Sequence, residues 1–303
     1  MQKLSDIQIL KLGKTLYHIK NNNLFYSQMF TNGRITSYKE LAKLPFMTWQ
    51  LLAQGYPFAY CCADTETLSA GYIQSQGQEK IMNLYSDSDI SHIAEMTSRA
   101  FSIADISDED TLLLISGEDT SRAFTSTCEK LRHFMIPAHK LSHKELYQLI
   151  KDTDASYLLG DTSDLIKFVE DCRTSSLELS SLGLKGGVFS GKPLTEGNRK
   201  HIEKETGMDI TLTAGIGDFF NGLASDCKMH DGFHVWDEHY IVEIINPETG
   251  ETVEDETEGE LVITTVSLNA LPLIRFRTGK LTKIIDRSKC ECGLKTVKIA
   301  YTF

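Results

Sequence analysis

The stretch GELVITTVSLNALPLIRFRTGKLT, residues 259–282, is the most informative segment of this 303-residue chain. It opens with a β-rich run, and a second β-rich run precedes it at residues 233–245. The acidic segment 246–258 joins the two runs as a turn. Runs of this type on either side of a polar turn pair as antiparallel strands. The segment therefore predicts hairpins of an antiparallel sheet or a small barrel in the last quarter of the chain.

The chain before Ser225 has a different pattern, in which short apolar runs alternate with amphipathic runs. One predicted helix, at 162–172, opens on a Thr or Ser that is suited to capping. Strand–helix alternation is typical of a parallel sheet that helices cover on both faces. We therefore predict an α/β fold here, with strands at 111–116, 134–137, 155–160, 184–190 and 208–213, and helices at 142–152, 162–172 and 195–207.

Helices are also predicted at the N-terminal end. Residues 5–20 carry apolar side chains at helical spacing. A second, short helix at 37–44 opens on Ser37 with Glu40 three positions later, which is the capping-box pattern. We predict three consecutive regions: a helical segment at 1–60, α/β subdomains at 61–225 and a β-rich subdomain at 226–303.

The composition excludes several classes of protein. With 41% hydrophobic and 24% charged residues, the chain has the composition of an ordinary globular domain. A net charge of -11 disfavours a nucleic-acid partner, because binding to a phosphate backbone requires a basic surface. We find neither an apolar run of membrane-spanning length nor a signal-peptide pattern, and we expect no membrane partner. Seven cysteines, an odd number, fit a reducing compartment, so we predict a cytoplasmic protein.

Five segments of the chain follow the order and spacing of one known family. They read PFMTWQLLAQGYPF at 45–58, SGKPLTEGNRKHIEKETG at 190–207, DCKMHDGFHVWDEHYIVEIINPETGE at 226–251, GELVITT to RFRTG at 259–279, and CECG at 290–293. In these segments the chain resembles the phenylacetate–CoA ligases, which are adenylate-forming enzymes. The resemblance implies the large N-terminal domain of the adenylate-forming ligase fold, and the activation of a carboxylic acid with ATP and Mg²⁺ before its transfer to CoA. Family members continue into a hinge and a small C-terminal domain, whereas this chain ends at Phe303, so we expect that domain to be absent.

The resemblance also assigns a nucleotide pocket, and parts of it depart from the family pattern. In the family an Asp follows the R-x-R-T-G run and binds the ribose hydroxyls, whereas this chain has Lys280, which can only donate hydrogen bonds. The segment that matches the phosphate loop, 72–80, has one glycine, and an ordinary turn before a strand is the alternative there. Ala214 stands in the place of the adenine-stacking aromatic residue. The assigned positions are Ser75, Gly77, Gly191, Ala214, Gly215, Ile216, Gly217, Asp218, Arg275 and Lys280.

Several of these positions also have a structural interpretation. Asp218 could bind Mg²⁺ or could be a turn residue. Arg275 could face the ligand cavity or form an ion pair within the protein. Lys280 could pair with a neighbouring acid or with an anionic ligand. Together, the departures predict that this chain alone does not form an acyl-adenylate, because that reaction depends on positioning and electrostatics around the phosphates.

A possible metal site is retained. Cys227, His234, Cys290 and Cys292 resemble the zinc ligands of some family members. Thiolates and an imidazole suit tetrahedral Zn²⁺, and a closed set of four ligands would be structural. His230, three positions after Cys227, is a rival for the imidazole ligand. Buried free cysteines beside a surface histidine are the alternative.

Three hypotheses for the function remain open. In the first, the chain has lost adenylation and keeps a cavity for an acyl or nucleotide-like ligand, such as a small carboxylic acid or an acyl-CoA. In the second, it is an active acid–CoA ligase that uses ATP and Mg²⁺ and is completed by a separate C-terminal domain. In the third, it is a non-catalytic structural or regulatory partner of a full-length paralogue. A homodimer, or pairing with a paralogue, is also expected from the resemblance, since enzymes of this family are often dimers.

Overall fold

The computed structural model describes residues 3–30, 35–76, 78–215, 222–287 and 290–301. The chain divides into two compact units, each made of two separate parts of the sequence. The first unit combines Met1–His92 with Val235–Ala300, and the second combines Ile93–His234 with Tyr301–Phe303. The predicted regions are continuous in sequence instead, and their boundaries stay a prediction.

Helices and strands alternate along most of the chain. The helices are α1 (Asp6–Asn22), α2 (Leu24–Ser27), α3 (Tyr38–Leu41), α4 (Trp49–Gln54), α5 (Asp87–Ile103), α6 (Glu118–Leu131), α7 (His143–Thr153), α8 (Thr162–Thr174) and α9 (Glu196–Thr206). The strands are β1 (Leu68–Gln76), β2 (Glu79–Ser86), β3 (Leu112–Leu114), β4 (Met135–Pro137), β5 (Tyr157–Asp161), β6 (Gly186–Ser190), β7 (Asp209–Ala214), β8 (Ala224–Ser225), β9 (Phe233–Val235), β10 (Tyr240–Ile245), β11 (Gly259–Thr265), β12 (Phe276–Thr282), β13 (Ile284–Asp286) and β14 (Lys298–Ile299).

The first unit contains antiparallel strands. β1 and β2 form a hairpin in which Gln76 pairs with Glu79, so two residues make the turn. β10, β11 and β12 form a three-stranded antiparallel sheet. β10 and β11 are buried along their whole length, which explains their rich content of Ile and Val. The predicted antiparallel pairing of 233–245 with 259–266 is therefore confirmed for β10 and β11.

The second unit is built on a parallel sheet. Its strands lie in the order β8-β7-β6-β5-β3-β4, and all neighbours are parallel except β7 and β8. Buried Phe101 of α5 and Phe124 of α6 pack in one cluster with the strand residues Leu112, Leu159 and Val188. The central strands are short and buried, as parallel strands are when helices cover them. The predicted α/β alternation is confirmed.

Side-chain caps set the start of several helices. Ser5 and Ser142 cap α1 and α7, each in a reciprocal capping box with the residue three positions later. Ser37 caps α3 as predicted, and its side chain accepts a hydrogen bond from the amide of Glu40. The prediction for α8 is wrong in one respect, because its cap is Asp161 rather than a Thr or Ser. Asp is as suitable as Ser or Thr at this position, because its carboxylate oxygen can equally accept a hydrogen bond from a free amide at the start of the helix.

Helices α5 and α6 are the main elements that the sequence pattern did not predict. Both contain many Ser and Thr residues, which have a low preference for helix interiors and hide the helical periodicity. Burial of their aromatic side chains against the sheet outweighs that weak local preference. Within the described residues, we find no helix with the length and apolarity that a membrane crossing requires.

Candidate functional site

The segment that follows the R-F-R-T run forms a bulge in β12. Arg277 pairs with Val262 of β11 and Leu281 pairs with Glu260, so residues 278–280 oppose Leu261 alone. Gly279 has a φ of 70°, in the left-handed region that glycine adopts most readily. Lys280 lies within this bulge and has no partner in the regular pairing of β11 with β12. The Lys280 side chain is half-buried.

Glu260 holds this bulge from the neighbouring strand. Its carboxylate accepts hydrogen bonds from Arg277 Nε at 2.9 Å and from the Gly279 amide at 3.0 Å. Arg277 also donates to the carbonyl of Pro247 at 2.8 Å. Among the described residues, the Lys280 ammonium has no carboxylate within 4.0 Å, so the predicted pairing with a local acid is not seen there.

The Arg275 side chain forms hydrogen bonds with other residues of the first unit. Its Nε and Nη2 atoms each lie 3.0 Å from one oxygen of Glu243, and both side chains are buried. Its Nη1 atom donates to the carbonyls of Ala42 at 2.8 Å and Leu44 at 2.7 Å. The guanidinium also lies 4.1 Å above the ring centre of Phe46. Of the two interpretations of Arg275, the geometry favours the structural ion pair, because four of its five donors are used.

These contacts tie the N-terminal motif at 45–58 to the signature strand. The Met47 amide donates to the Arg275 carbonyl at 3.1 Å, and the Arg277 amide donates to the Met47 carbonyl at 2.9 Å. Met47 and Phe276 accordingly form an isolated parallel bridge. Two of the motifs that carry the family resemblance, at 45–58 and 259–279, are thus joined by backbone hydrogen bonds.

The segment that matches the phosphate loop is the β1–β2 hairpin. Ser75 is exposed on β1 and pairs with Lys80 of β2. The turn consists of two residues, of which Gly77 lies outside the described residues. A two-residue hairpin turn offers few backbone amides for wrapping a triphosphate. The pairing of the described residues on either side is compatible with the alternative considered above, an ordinary turn before a strand.

The position assigned to Gly191 lies at the carboxyl end of β6. Gly191 has a φ of 92°, and a Cβ placed on it would overlap the carboxylate of Asp161. That carboxylate is held by the α8 cap, where Oδ1 accepts from the Ser163 amide at 2.8 Å. The residue after Gly191, Lys192, is held as well, because the Thr162 hydroxyl donates to its carbonyl at 2.7 Å. A negative charge therefore stands beside a predicted nucleotide position, which the sequence pattern did not indicate.

The remaining predicted nucleotide positions follow β7. Ala214 is half-buried at the end of that strand and pairs with Ala224 of β8. Gly215 comes directly after it and is also half-buried. Ile216, Gly217 and Asp218 lie outside the described residues.

The four predicted metal ligands come together as one group. Each of Cys227, His234, Cys290 and Cys292 offers a ligand atom, and these atoms lie within 4.8 Å of one another. Cys227 and His234 are buried, whereas Cys290 and Cys292 are half-buried. The donor chemistry, three sulfurs and one imidazole nitrogen, fits Zn²⁺. His234 is the imidazole of this group, and His230 is not part of it.

His230 belongs to a different network in the second unit. Its Nδ1 atom lies 2.9 Å from Arg199 Nη1 and 3.3 Å from Asp226 Oδ2, and its Nε2 atom lies 3.8 Å from Asp209 Oδ1. Asp209 and Asp226 raise the pKa of His230 to about 9, although burial and the Arg199 charge oppose them. Since Arg199 can only donate, a protonated Nδ1 must direct its hydrogen to Asp226.

Glu203, Asp209 and His230 form a second group of potential metal ligands. The Arg199 guanidinium, 2.9 Å from the imidazole, opposes the binding of a cation there. The chemistry of this group is therefore that of an ion-pair network, and the cysteine-containing group is the better candidate for a metal.

Comparisons with known proteins agree with these assignments of fold. No model of a known protein family matches the chain. The chain is 27% identical over 294 residues to a phenylacetate-coenzyme A ligase of Pseudomonas putida, covering 93% of this chain and 67% of that protein. It is 28% identical over 298 residues to the phenylacetate-coenzyme A ligase of Escherichia coli strain K12, covering 94% of this chain and 68% of the relative.

Solved structures show the same fold. An open conformation of 2-hydroxyisobutyryl-CoA ligase in complex with 2-HIB-AMP and CoA superposes with a TM-score of 0.86 at 20% identity, over 97% of this chain and 72% of that one. The long-chain-fatty-acid-CoA ligase FadD1 from Archaeoglobus fulgidus gives a TM-score of 0.59 at 11% identity, over 77% of this chain and 51% of that one. The predicted resemblance and fold class are confirmed: over nearly its whole length the chain is similar to phenylacetate–CoA ligases, and it has the mixed α/β fold of the adenylate-forming ligases.

Proposed function

We propose that this chain is a degenerate phenylacetate–CoA ligase-like protein that does not form an acyl-adenylate by itself. It keeps a cavity for a small carboxylic acid, an acyl-CoA or a nucleotide-like ligand. The observation that carries the proposal is the charge at the assigned nucleotide positions. An ammonium, Lys280, stands where a carboxylate would accept from ribose, and a carboxylate, Asp161, lies against Gly191.

Both side chains act against the binding of a nucleotide in the family manner. Lys280 has no acceptor for the two ribose hydroxyls. The Asp161 carboxylate would repel a phosphate group placed beside Gly191, because like charges repel. The two-residue turn of the β1–β2 hairpin offers little to compensate for it.

We expect this chain to release no pyrophosphate from ATP above background with any member of a panel of aryl and short-chain acids. The phenylacetate-coenzyme A ligase of Escherichia coli strain K12 serves as the positive control. Lys280→Asp alone should not restore turnover, because Asp161 and the hairpin turn are unchanged in that variant. Robust turnover by the unaltered chain would contradict the proposal.

Titration calorimetry separates this proposal from an active ligase that needs a second chain. We expect saturable binding of an acid or an acyl-CoA without ATP, and no saturable binding of ATP. Turnover that appears when the separately expressed C-terminal domain of a relative is added would favour the active ligase instead.

We further propose that Cys227, His234, Cys290 and Cys292 hold one structural zinc ion, which would stabilise the surrounding fold. Four protein donors leave no open position, as in sites that do not activate water. Three thiolates around Zn²⁺ and a neutral imidazole carry one net negative charge. Lys298, which is buried, places its ammonium 3.6 Å from Cys290 Sγ and would balance that charge.

The odd number of cysteines supports a reducing, cytoplasmic location, in which thiols stay available as ligands.

Protein purified without chelator should contain about one zinc ion per chain. We expect Cys292→Ala to lower the zinc content and the Tm, because a structural zinc ion contributes directly to folding. Cys172→Ala is the matched control: Cys172 is buried on α8, where burial raises the pKa of its thiol to about 11 and disfavours metal binding. A metal content near zero in the parent protein would exclude the zinc site.

A further inference from the structure

Cys290 and Cys292 are the accessible members of the cysteine-containing group. Both are half-buried, whereas the other two members, Cys227 and His234, are 2% and 0% exposed. The potential ligand atoms of the group lie within 4.8 Å of one another, so the two accessible sulfur atoms are already close. A dissolved oxidant can therefore reach two neighbouring sulfur atoms here, and the third sulfur is shielded.

The chain turns at these two cysteines. The Gly293 amide donates to the Cys290 carbonyl at 3.0 Å, and Gly293 has a φ of 89°. Consecutive Cα atoms are about 3.8 Å apart, so a turn brings the Cα atoms of Cys290 and Cys292 into the range that a disulfide bond requires, about 4.4–6.8 Å. Rotation of the two side chains, with a small adjustment of the turn, is enough to join their sulfur atoms.

The surroundings of the two sulfur atoms favour attack on a peroxide. A thiol that coordinates zinc is deprotonated, and the thiolate is the nucleophilic form of cysteine. The Lys298 ammonium lies 3.6 Å from Cys290 Sγ, and the residue is only 5% exposed. A positive charge held at this place stabilises the negative charge that develops on a leaving oxygen. Cys290 is therefore the sulfur that reacts first.

The four cysteines outside this group are in different surroundings. Burial raises the pKa of the Cys62 and Cys128 thiols to about 12 and that of Cys172 to about 11. Cys61 is half-buried, but burial raises the pKa of its thiol as well, and its Sγ donates to the Ala63 carbonyl at 3.2 Å. Neutral thiols react slowly with oxidants. An oxidant should therefore distinguish Cys290 and Cys292 from these four.

We propose that Cys290 and Cys292 form a reversible oxidation site that reacts with hydroperoxides. The Cys290 thiolate attacks the terminal oxygen of the hydroperoxide, the O–O bond breaks, and an alkoxide leaves and takes a proton from water, so Cys290 becomes a sulfenic acid. The Cys292 thiolate then attacks the Cys290 sulfur, the S–O bond breaks as hydroxide leaves, and an S–S bond forms. The two sulfurs lose two electrons in total, and the hydroperoxide is reduced to an alcohol and water.

The consequence of this oxidation for the metal rests on the proposed zinc site. The disulfide removes two of the four donors, and Cys227 and His234 alone do not complete a tetrahedral set. Zinc should then leave, and its contribution to folding should be lost. A dithiol reduces the disulfide by exchange and restores the donors. In a reducing compartment such a disulfide is transient, as in proteins that sense oxidants.

Peptide mapping of the unaltered protein tests the oxidation site. Trypsin releases both cysteines in one peptide, CECGLK at 290–295. After treatment with hydrogen peroxide this peptide should resist alkylation at both sulfurs and should be lighter than its reduced form by two hydrogen atoms. Cys61 and Cys62 should still be alkylated, and dithiothreitol should restore alkylation of Cys290 and Cys292. Two thiols that stay alkylatable, a sulfonic acid in place of the disulfide, or a disulfide to Cys227 would overturn the proposal.

A zinc-binding dye added to the same samples separates this proposal from that of the zinc site. If both are correct, about one zinc ion per chain should be released as the disulfide forms. A disulfide that forms in a protein without zinc would exclude the zinc site and support the oxidation site. Zinc that is retained while both thiols remain alkylatable would support the zinc site and overturn the oxidation site.

A lysine variant tests why Cys290 reacts first. Lys298→Met keeps all four metal donors and should slow the loss of the two alkylatable thiols, because the charge beside Cys290 is removed. The matched control is Lys283→Met, at an exposed position, which should react at the rate of the parent. Circular dichroism should show that both variants are folded. Equal rates in the two variants would refute the role given to Lys298.

Discussion

Arg275→Met is expected to lower the free energy of unfolding by about 3–5 kcal/mol, because it leaves a buried carboxylate without its partner. Glu243 and Arg275 are 1% and 2% exposed in their side chains, so water cannot replace the lost guanidinium. The carbonyls of Ala42 and Leu44 lose their donors in the same variant. Urea unfolding of the parent and the variant at about pH 8, where free carboxyl groups are ionised, measures the difference.

The loss should depend on pH in a defined direction. Burial raises the pKa of the Glu243 carboxyl, and Arg275 lowers it. Without Arg275 only the raising influence remains, so the folded variant binds a proton at pH values above the ordinary pKa of Glu, about 4.3. Its stability is then fully present below that value and is lost as the pH rises through the folded-state pKa. The variant should therefore be closest to the parent at about pH 5 and farthest from it at about pH 8.

Two controls make the result specific to the buried pair. Arg287→Met removes a guanidinium that contacts Asp255 at 2.6 Å through side chains that are 26% and 44% exposed, and it should cost less than about 1 kcal/mol. Glu243→Leu/Arg275→Met removes both charges and should recover much of the stability. If Arg275→Met were no more destabilising than Arg287→Met, the assignment of Arg275 as the link between the 45–58 motif and the signature strand would be wrong.

Arg199→Met is expected to destabilise the second unit by about 3 kcal/mol, since it removes one of the two cations, Arg199 and protonated His230, that lie beside the fully buried carboxylate of Asp226. Arg199 Nη2 donates to Asp226 Oδ2 at 2.6 Å, and the two side chains are 5% and 0% exposed. The Leu212 amide, at 2.7 Å, and the Tyr301 hydroxyl, at 3.2 Å, still bind Asp226 and limit the loss. Thermal and urea unfolding measure the effect.

The neighbouring residue supplies the control for this prediction. Lys200, on the same helix, pairs with Glu196 through side chains that are 71% and 80% exposed. Lys200→Met should therefore leave the stability almost unchanged, because solvent screens an ion pair this exposed. Zinc content should be measured in each protein, because Asp226 adjoins Cys227. Equal stabilities of the Arg199 and Lys200 variants at equal zinc content would show that the buried network contributes little.

Much of the fold could be predicted because its determinants are local. The apolar run at 155–160 and the helical spacing at 195–207 lie within single elements, and they correspond to β5 and α9. Ser142 and Ser37 cap helices through contacts with residues three positions away. Where Ser and Thr dilute the spacing, as in α5, the local signal is too weak, and only packing against the sheet reveals the helix.

The candidate site could be predicted less completely because its contacts are remote in sequence. The hydrogen bond from Arg275 to the Ala42 carbonyl joins residues that are 233 positions apart in the sequence. The ion pair of Arg275 with Glu243 joins residues that are 32 positions apart. Asp161, which approaches Gly191, has no feature in its own segment that marks it as part of that position. The two possible imidazole ligands, His230 and His234, lie three and seven positions after Cys227, and spacing alone could not decide between them.

By itself, the sequence determined the class of fold, the relationship to phenylacetate–CoA ligases and the residue types that could hold zinc. Those features depend on periodicity, capping and motif spacing, which each segment carries independently of the others. The tertiary structure alone decided that Arg275 forms an ion pair inside the protein and that His234 rather than His230 joins the cysteines. Each of these depends on which distant side chains share a desolvated space, and burial and electrostatic pairing are properties of the folded chain.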